Sequence, residues 1–247
     1  MSKKLLGSAF LAIALAAPGF AATCGTVESP TACSITVGGN TTYTVSNFVF
    51  GSSSSTGNGL DYQNGDINVD ISTGGGNTLL MTFSKNSQGP TPGVVFLANA
   101  GDSSSFSFTY DVALSAAIPG TVAFTTPDIV SFGTSSAVSN GFSVDQMILS
   151  DGVNGTTCSA VRNSNGLTQG TCNTLPANLT NLLRVSNITT LNGGNTGSNT
   201  SIGTINNLIA ATFTAEETPT VPEPSSLALI AAGLAAAVAR ASRPARN

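Results

Sequence analysis

A run of oxygen-bearing side chains at every second position is the first pattern in this sequence that suits chemistry. Asp66, Asn68 and Asp70 follow an Asn-Gly turn and alternate with Ile67 and Val69. Alternate residues of a strand point to the same face, so the three polar side chains are expected to share one. Calcium takes six to eight oxygen ligands, carboxylates among them. The pattern therefore gives a hypothesis of a calcium site at Asp66, Asn68 and Asp70.

The same residues also fit the solvated face of an ordinary strand. A calcium-binding EF-hand loop needs glycine at its sixth position, and Ile71 stands there in this sequence. No glutamate follows at the spacing of the bidentate ligand. We therefore expect the solvated strand face, with no resident cofactor, and keep calcium as the alternative.

Composition restricts enzymatic chemistry. The 247 residues contain no histidine, which excludes Ser-His-Asp and Cys-His catalysis, and no tryptophan, a common platform for sugars. A glycosidase needs only a pair of carboxylates, and eight aspartates lie between residues 61 and 151. Few cations are present to stabilise an oxyanion. We therefore predict that the protein is not an enzyme, and a secreted carboxylate-dependent hydrolase remains the weakest of the alternatives.

The first residues have the order of a secretory signal peptide. Lys3 and Lys4 provide the positive charge, residues 5–17 are apolar, and small residues precede a cleavage point after Ala21 or Ala22. This segment predicts export through the general secretory pathway and a signal peptide over residues 1–22.

Four cysteines are left in the exported chain, namely Cys24, Cys33, Cys158 and Cys172. An even number in an exported protein predicts disulfides. Three connectivities are open, and Cys24–Cys33 with Cys158–Cys172 is favoured because each pair closes a short local loop. Zinc is not expected, since histidine is absent and the cysteine spacing is too wide.

Period-two alternation of apolar residues dominates the region between the two ends. The clearest runs are residues 67–71, 79–83 and 106–114, and weaker strand candidates lie at residues 34–37, 43–50, 94–98, 121–125, 142–149, 182–189 and 208–214. Stretches rich in Gly, Ser and Asn, such as residues 51–59, 101–105 and 192–200, are predicted to be turns and loops. The fold class is therefore all-β, an antiparallel, jelly-roll-like β-sandwich. The alternative for residues 178–214 is one or two coils of a β-solenoid.

The charge of this body differs from that of the whole chain. Residues 23–223 contain three basic residues, Lys85, Arg162 and Arg184, and all 12 acidic residues, which gives a net charge near 3 − 12 = −9. Nucleic acid and anionic membranes are poor partners for such a surface. Its solubility has to come from Ser, Thr, Asn and Gly.

The last 27 residues combine three physical devices. Pro222 and Pro224 hold an extended strip around Glu223. Residues 225–239 carry no charge and would form a helix of roughly 22 Å, shorter than the ~30 Å hydrocarbon core of a bilayer. Arg240, Arg243 and Arg246 follow and favour the cytoplasmic side. We expect a short transmembrane helix that anchors the chain transiently; a permanent anchor and a core helix are the alternatives.

This order of Pro-Glu-Pro triplet, short apolar helix and arginine cluster resembles the PEP-CTERM sorting signal of exported bacterial proteins. The resemblance begins at Val221 and implies recognition by exosortase, a membrane-embedded cysteine peptidase that cleaves near Pro222, Glu223 and Pro224. It further implies a brief stay in the inner membrane and then the cell surface or extracellular matrix of a Gram-negative bacterium.

The predicted organisation is thus a signal peptide (1–22), a β-sandwich body (23–215), a linker (216–221) and a sorting signal (222–247). The leading hypothesis is a non-enzymatic surface or matrix protein of biofilm or exopolysaccharide architecture. The second is a carbohydrate- or calcium-binding secreted module.

Overall fold

The computed structural model describes residues 22–27, 31–125, 129–132, 135–150, 155–169, 181–195, 197–217 and 229–235. The chain divides into two compact units, residues 1–215 and 216–247. Within the described residues, the first unit consists of strands joined by turns, and the second contributes the helical residues 229–235.

The described part of the first unit contains sixteen strands. In chain order they are β1 (Ala22–Thr26), β2 (Cys33–Val37), β3 (Thr41–Thr56), β4 (Ile67–Gly75), β5 (Thr78–Lys85), β6 (Phe96–Asn99), β7 (Ser103–Ala116), β8 (Gly120–Phe124), β9 (Ile129–Phe132), β10 (Ser135–Val138), β11 (Phe142–Ser150), β12 (Gly155–Asn163), β13 (Gly166–Gln169), β14 (Leu182–Asn192), β15 (Asn199–Ile202) and β16 (Thr204–Ala215).

The strands form three sheets. A seven-stranded sheet has the order β13-β12-β11-β14-β7-β3-β2, and a six-stranded sheet has the order β1-β4-β5-β16-β8 with β9 also paired to β16. A small third sheet has the order β10-β15-β6. The pairs are antiparallel, and the all-β antiparallel sandwich predicted from the alternation is confirmed.

Rings packed between the sheets form the centre of the core. On β7, Phe106, Phe108 and Tyr110 are buried and alternate with half-buried Ser and Thr, as the sequence predicts. The ring of Phe83 on β5 lies 4.6 Å from that of Phe108, centroid to centroid, and Phe96 on β6 lies 4.8 Å from Phe106. The inner face of β7 therefore contacts both of the other sheets.

The predicted loop at residues 51–59 is wrong over most of its length. Strand β3 continues to Thr56 and pairs with β7 through two register shifts. Pairing to a central strand outweighs the weak strand propensity of Gly and Ser, and the hydroxyls of Ser52 and Thr56 find cross-strand partners. The Oγ atoms of Ser52 and Ser107 are 3.2 Å apart, and those of Thr56 and Ser103 are 2.7 Å apart.

The solenoid alternative for residues 178–214 is also wrong in the part of that region that the structure describes. Strands β14, β15 and β16 belong to three different sheets and pair antiparallel with distant strands. A solenoid would instead stack successive strands in parallel on one another.

The Cys24–Cys33 disulfide is confirmed, with the two Cα atoms 5.4 Å apart. Cys24 lies on β1 in the six-stranded sheet and Cys33 begins β2 in the seven-stranded sheet, so the bond joins the two sheets at one corner. Cys158 is also disulfide-bonded. Its predicted partner, Cys172, lies outside the described residues, and that pairing stays a prediction.

Removing this corner bond tests its contribution to stability. The Cys24→Ala/Cys33→Ala double variant should lose roughly 2–3 kcal/mol of unfolding free energy, because the bond closes a short loop in the unfolded chain. Chemical denaturation without reductant measures the loss while the Cys158 disulfide stays intact. An unfolding free energy equal to that of the parent protein would contradict the prediction.

Candidate functional site

The predicted sorting residues Pro222, Glu223 and Pro224 lie outside the described residues, as do Arg240, Arg243 and Arg246. The structure does describe residues 229–235, which are helical and exposed throughout, with Leu229, Ile230 and Leu234 as their large apolar side chains. No helix within the described ranges is long and apolar enough to span a bilayer.

The structure does not place Asp66, Asn68 and Asp70 on a common face. Strand β4 begins only at Ile67, and the side chain of Asp66 is fully buried beside the strand. Asn68 and Asp70 are half-buried on the strand, as expected for its outer face. The shared face was a wrong prediction, because Asp66 ends the preceding turn and does not continue the pleat. Among the described residues, no group of three or more Cys, Asp or Glu side chains is arranged to hold a metal ion.

Asp66 is instead the centre of a buried ion pair. Its Oδ1 accepts from Lys85 Nζ at 2.8 Å and from the Thr91 amide at 2.9 Å. Its Oδ2 accepts from the Gln63 amide at 2.7 Å and from Thr91 Oγ1 at 2.5 Å. Burial opposes ionisation, but the bonds from Lys85, Thr91 and Gln63 outweigh it and hold the pKa of Asp66 below its usual value. Both oxygens of this carboxylate accept two hydrogen bonds each from the protein itself, so the group has a structural role.

A second buried carboxyl, Asp145 on β11, has no cationic partner among its described contacts. Thr189 Oγ1 donates to it at 2.6 Å and Asn187 Nδ2 at 3.0 Å. Asn187 also pairs with Asn207 on β16, which donates to the hydroxyl of Tyr110 at 2.7 Å. The network therefore crosses from the seven-stranded to the six-stranded sheet. Burial raises the pKa of Asp145 to about 7, although Thr189 and Asn187 act in the opposite direction.

A polar cleft of about 410 Å³ opens where four strands of the large sheet end. We call it the strand-end cleft; its lining residues are Thr56, Gly101, Asp102, Ser103, Asn140, Phe142, Asn192, Gly194 and Asn195. Its floor is a transverse row in register: Thr56 opposes Ser103, Ser103 opposes Asn192, and Asn192 opposes Phe142. Directly opposed residues of antiparallel strands point to the same side. The row therefore lies on the outer face, away from buried Ser104, Leu191 and Ser143.

The walls of the strand-end cleft are turns tied to one another by hydrogen bonds. The Gly101 amide donates to the Gly194 carbonyl at 2.7 Å, and the Gly193 amide donates to the Asp102 carbonyl at 2.9 Å. Oδ1 of Asn140 accepts from the Asn195 amide at 2.9 Å and from Ser198 Oγ at 2.8 Å. The first two bonds hold the turn between β6 and β7 against the turn after β14, and the Asn140 bonds hold the turn after β10 against that same turn.

Sequence reasoning missed the strand-end cleft. The stretches at residues 101–105 and 192–200 were recognised as turns, but Phe142 was assigned only to a strand and Asn140 to nothing. The four strand ends come together through pairing between residues that are 47 to 89 positions apart in the sequence. The only local signal was an Asn-Gly dipeptide immediately before an exposed aromatic at residues 140–142.

The described architecture is that of an all-β sandwich followed by a separate, partly helical segment. The family model of the PEP-CTERM protein-sorting motif matches residues 220–243. The chain therefore carries the sorting signal of the PEP-CTERM proteins, which makes it an exported protein with exosortase as its processing partner. Comparison with curated proteins gave no match, and comparison with solved structures gave none either.

Replacing Asp66 by Asn should destabilise the body by about 3–5 kcal/mol, because the buried Lys85 ammonium loses its counter-charge. Since the folded pKa of Asp66 is lowered, its stabilisation is present above the ordinary aspartate pKa and is lost as the pH falls through the lower folded value. Urea unfolding between pH 7 and pH 2 measures both effects. Asp70→Asn, on the half-buried face of β4, is the matched control, and an equal loss in both variants would refute the assignment.

The opposite pH dependence is expected of Asp145. Its folded pKa is raised to about 7, so its contribution to stability falls as the pH rises from about 4 to about 7 and then levels off. The loss is on the order of 4 kcal/mol at about 1.4 kcal/mol per unit of pKa. Asp145→Asn should therefore be more stable than the parent at pH 8 and similar to it at pH 4. A parallel pH profile of parent and variant would show that Asp145 does not titrate in this range.

Proposed function

We propose that this protein is a non-enzymatic component of the cell surface or extracellular matrix, where it contributes to biofilm or exopolysaccharide architecture. The observation that carries the proposal is the sorting motif at residues 220–243. Export through the general pathway precedes sorting, and exosortase then removes the segment that follows the Pro-Glu-Pro triplet. The inner membrane of a Gram-negative cell is in this scheme a temporary location.

The exposed helical residues support transient anchoring. Leu229 is 73 % exposed, and its neighbours 230–235 are exposed as well, which leaves an apolar surface that lipid would cover. The alanine-rich composition of residues 225–239 makes insertion weakly favourable. A weak anchor followed by Arg240, Arg243 and Arg246 holds the chain long enough for cleavage without fixing it in the membrane.

The surface of the body supports a role among hydrated polymers. Hydroxyl groups pair across its exposed strands, as Ser34 with Thr44 at 2.8 Å, Thr36 with Thr42 at 2.8 Å and Ser136 with Ser201 at 2.9 Å. Neutral hydrogen-bonding groups hydrate the protein without depending on ionic strength, whereas surface charges are screened by salt. Such a surface stays hydrated through neutral hydroxyl groups, as sugars do, over a wide range of salt concentrations.

A carbohydrate-binding module is the second candidate function, and the strand-end cleft favours it. The secreted hydrolase has less support at this site, because Asp102 is the one carboxylate among the residues that line the strand-end cleft. A two-carboxylate mechanism would require a partner about 5–10 Å away.

Processing can be tested with a variant of the triplet and a matched control in a host that contains exosortase. The parent protein should lose the apolar segment and begin at Ala22 or Thr23, as intact mass measurement shows. Glu223→Ala together with Pro222→Ala should retain the segment and accumulate in the membrane fraction, because the extended recognition strip is lost. Glu217→Ala, which removes an acid outside the triplet, should be processed normally. Retention of the apolar segment in the parent protein would rule the processing scheme out.

A further inference from the structure

We propose that the strand-end cleft is a binding site for a neutral carbohydrate, with Phe142 as the stacking surface and Asp102, Asn140 and Asn192 as the groups that read its hydroxyls. The proposal deepens the matrix function above and rests on it for the source of the ligand, an extracellular polysaccharide. The chemistry of the site is argued from the cleft itself.

The shape of the floor suits an extended polar ligand. Thr56, Ser103, Asn192 and Phe142 stand side by side on four adjacent strands. Three strand spacings of about 4.8 Å make this row about 14 Å long. The cleft volume of about 410 Å³ falls within the range of small-molecule sites, about 300–1,000 Å³. A short stretch of a sugar chain can therefore lie across the strand ends.

Phe142 supplies an apolar surface where the row ends. Its side chain is 38 % exposed, although it begins a strand whose next residue, Ser143, is fully buried. One face of a pyranose ring consists of C–H groups, and an aromatic ring that is partly open to solvent is the side chain that packs against such a face at low entropic cost. No tryptophan is present in the chain, so a phenylalanine takes this role.

Hydrogen bonds from backbone amides to one end of each side chain orient the polar groups of the strand-end cleft. The backbone amides of Asn195 and Gly194 donate to Oδ1 of Asn140 and of Asn192, respectively, at 2.9 and 2.8 Å. An amide N–H can only donate, so these contacts fix which end of each side-chain amide is oxygen. The Nδ2 groups, which have no partner among the described residues, are left as donors for a ligand. Asp102 is held in the same way, with Oδ1 accepting from the Asn58 amide at 2.7 Å and Oδ2 left as an acceptor.

Two glycines allow the walls to approach this closely. Gly57 has a φ of 67°, and a Cβ there would lie 2.5 Å from Oδ1 of Asp102. Gly194 has a φ of 70°, and a Cβ there would collide with Oδ1 of Asn140. Both backbone conformations are costly for other residues. The polar groups are therefore preorganised before a ligand arrives, which lowers the entropic cost of binding.

The charge of the strand-end cleft decides between neutral and acidic sugars. The lining contains one carboxylate and no Lys or Arg, and residues 23–223 carry a net charge near −9 from 3 basic and 12 acidic residues. Uronic acids and phosphate esters would be repelled. Planar amides and a carboxylate are instead well matched to hydroxyl groups, which both donate and accept. The ligand class that fits is a neutral hexose oligosaccharide.

The test uses the full chain, expressed with its own signal and sorting segments and purified from the compartment to which it is exported. The probes are glucose-, galactose- and mannose-based trisaccharides and their uronic-acid counterparts, titrated by calorimetry. At least one neutral trisaccharide should bind with a dissociation constant below about 1 mM. Phe142→Ala should weaken that binding about tenfold.

Two isosteric variants separate recognition from folding. Asn140→Asp keeps the acceptor for Asn195 and Ser198 but loses the donor, and Asp102→Asn keeps the acceptor for Asn58 but loses the negative acceptor. Each should weaken binding about three- to tenfold with an unchanged melting temperature. Gln146→Ala, exposed on the same face of β11, is the matched control and should bind like the parent.

Three results would overturn the proposal: no binding of any neutral trisaccharide at several millimolar, preference for the uronic acids, or unchanged binding by Phe142→Ala. The matrix function is judged separately, by the location of the processed protein in the culture. Trisaccharide binding by a protein that never reaches the matrix would support the site and refute the matrix role. A protein that reaches the matrix but binds no trisaccharide would support the matrix role and refute the site.

Discussion

Three rings on the inner face of β7, those of Phe106, Phe108 and Tyr110, make the contacts that join the sheets. Phe106 packs on Phe96 of the three-stranded sheet, and Phe108 and Tyr110 pack on Phe83 of the six-stranded sheet. Each such ring, fully buried, contributes about 1.5–3 kcal/mol. The chain contains no tryptophan, so phenylalanine and tyrosine are its largest side chains for such contacts. The outer face of β7 is then free to carry the serines and threonines that meet water and, at Ser103, the strand-end cleft.

Two fully buried carboxyls, those of Asp66 and Asp145, are stabilised in the core in opposite ways. Asp66 is satisfied as an anion by Lys85 and stabilises the fold at pH values above the ordinary aspartate pKa, whereas Asp145 lies among neutral partners and contributes most to stability when it is protonated. Their opposing pH dependences place the greatest stability between the two limits, in the weakly acidic range. The network around Asp145 also specifies the alignment of the sheets, because its partner Asn187 can bond Asn207 only when β14 and β16 are opposed. A buried polar network of this kind favours one arrangement over its neighbours.

The features that could be predicted from the sequence are those that depend on residues close together in the chain. Strands β4, β5 and β7 alternate apolar and polar residues, and their burial follows that alternation. Strand β12 was missed because its inner positions are Thr156, Cys158 and Ala160, which give no apolar signal. The face predicted for Asp66 was wrong because Asp66 comes one residue before the strand begins at Ile67, so the alternation of the strand does not extend to it.

The Cys24–Cys33 bond, by contrast, followed from close spacing alone. The strand-end cleft could not be predicted, because it is defined by the register of four strands that are distant in sequence. In the sequence, Asn140 and Phe142 belong to one turn and the strand that follows it, whereas Asn192 ends a different strand. Only the pairing of β11 with β14 and of β14 with β7 makes them neighbours.

Strand β16, the last strand before the sorting segment, determines how the body responds to mechanical force. It is interior to its sheet, paired with β5 on one side over Thr204–Ala210 and with β9 and β8 over most of its length on the other. A force applied at residue 215 along the strand direction would load these hydrogen bonds in shear, all at once. An edge strand peeled from its sheet would yield one bond at a time. The interior position of β16 therefore makes the sandwich resistant to a force applied at the C-terminal end of its last strand.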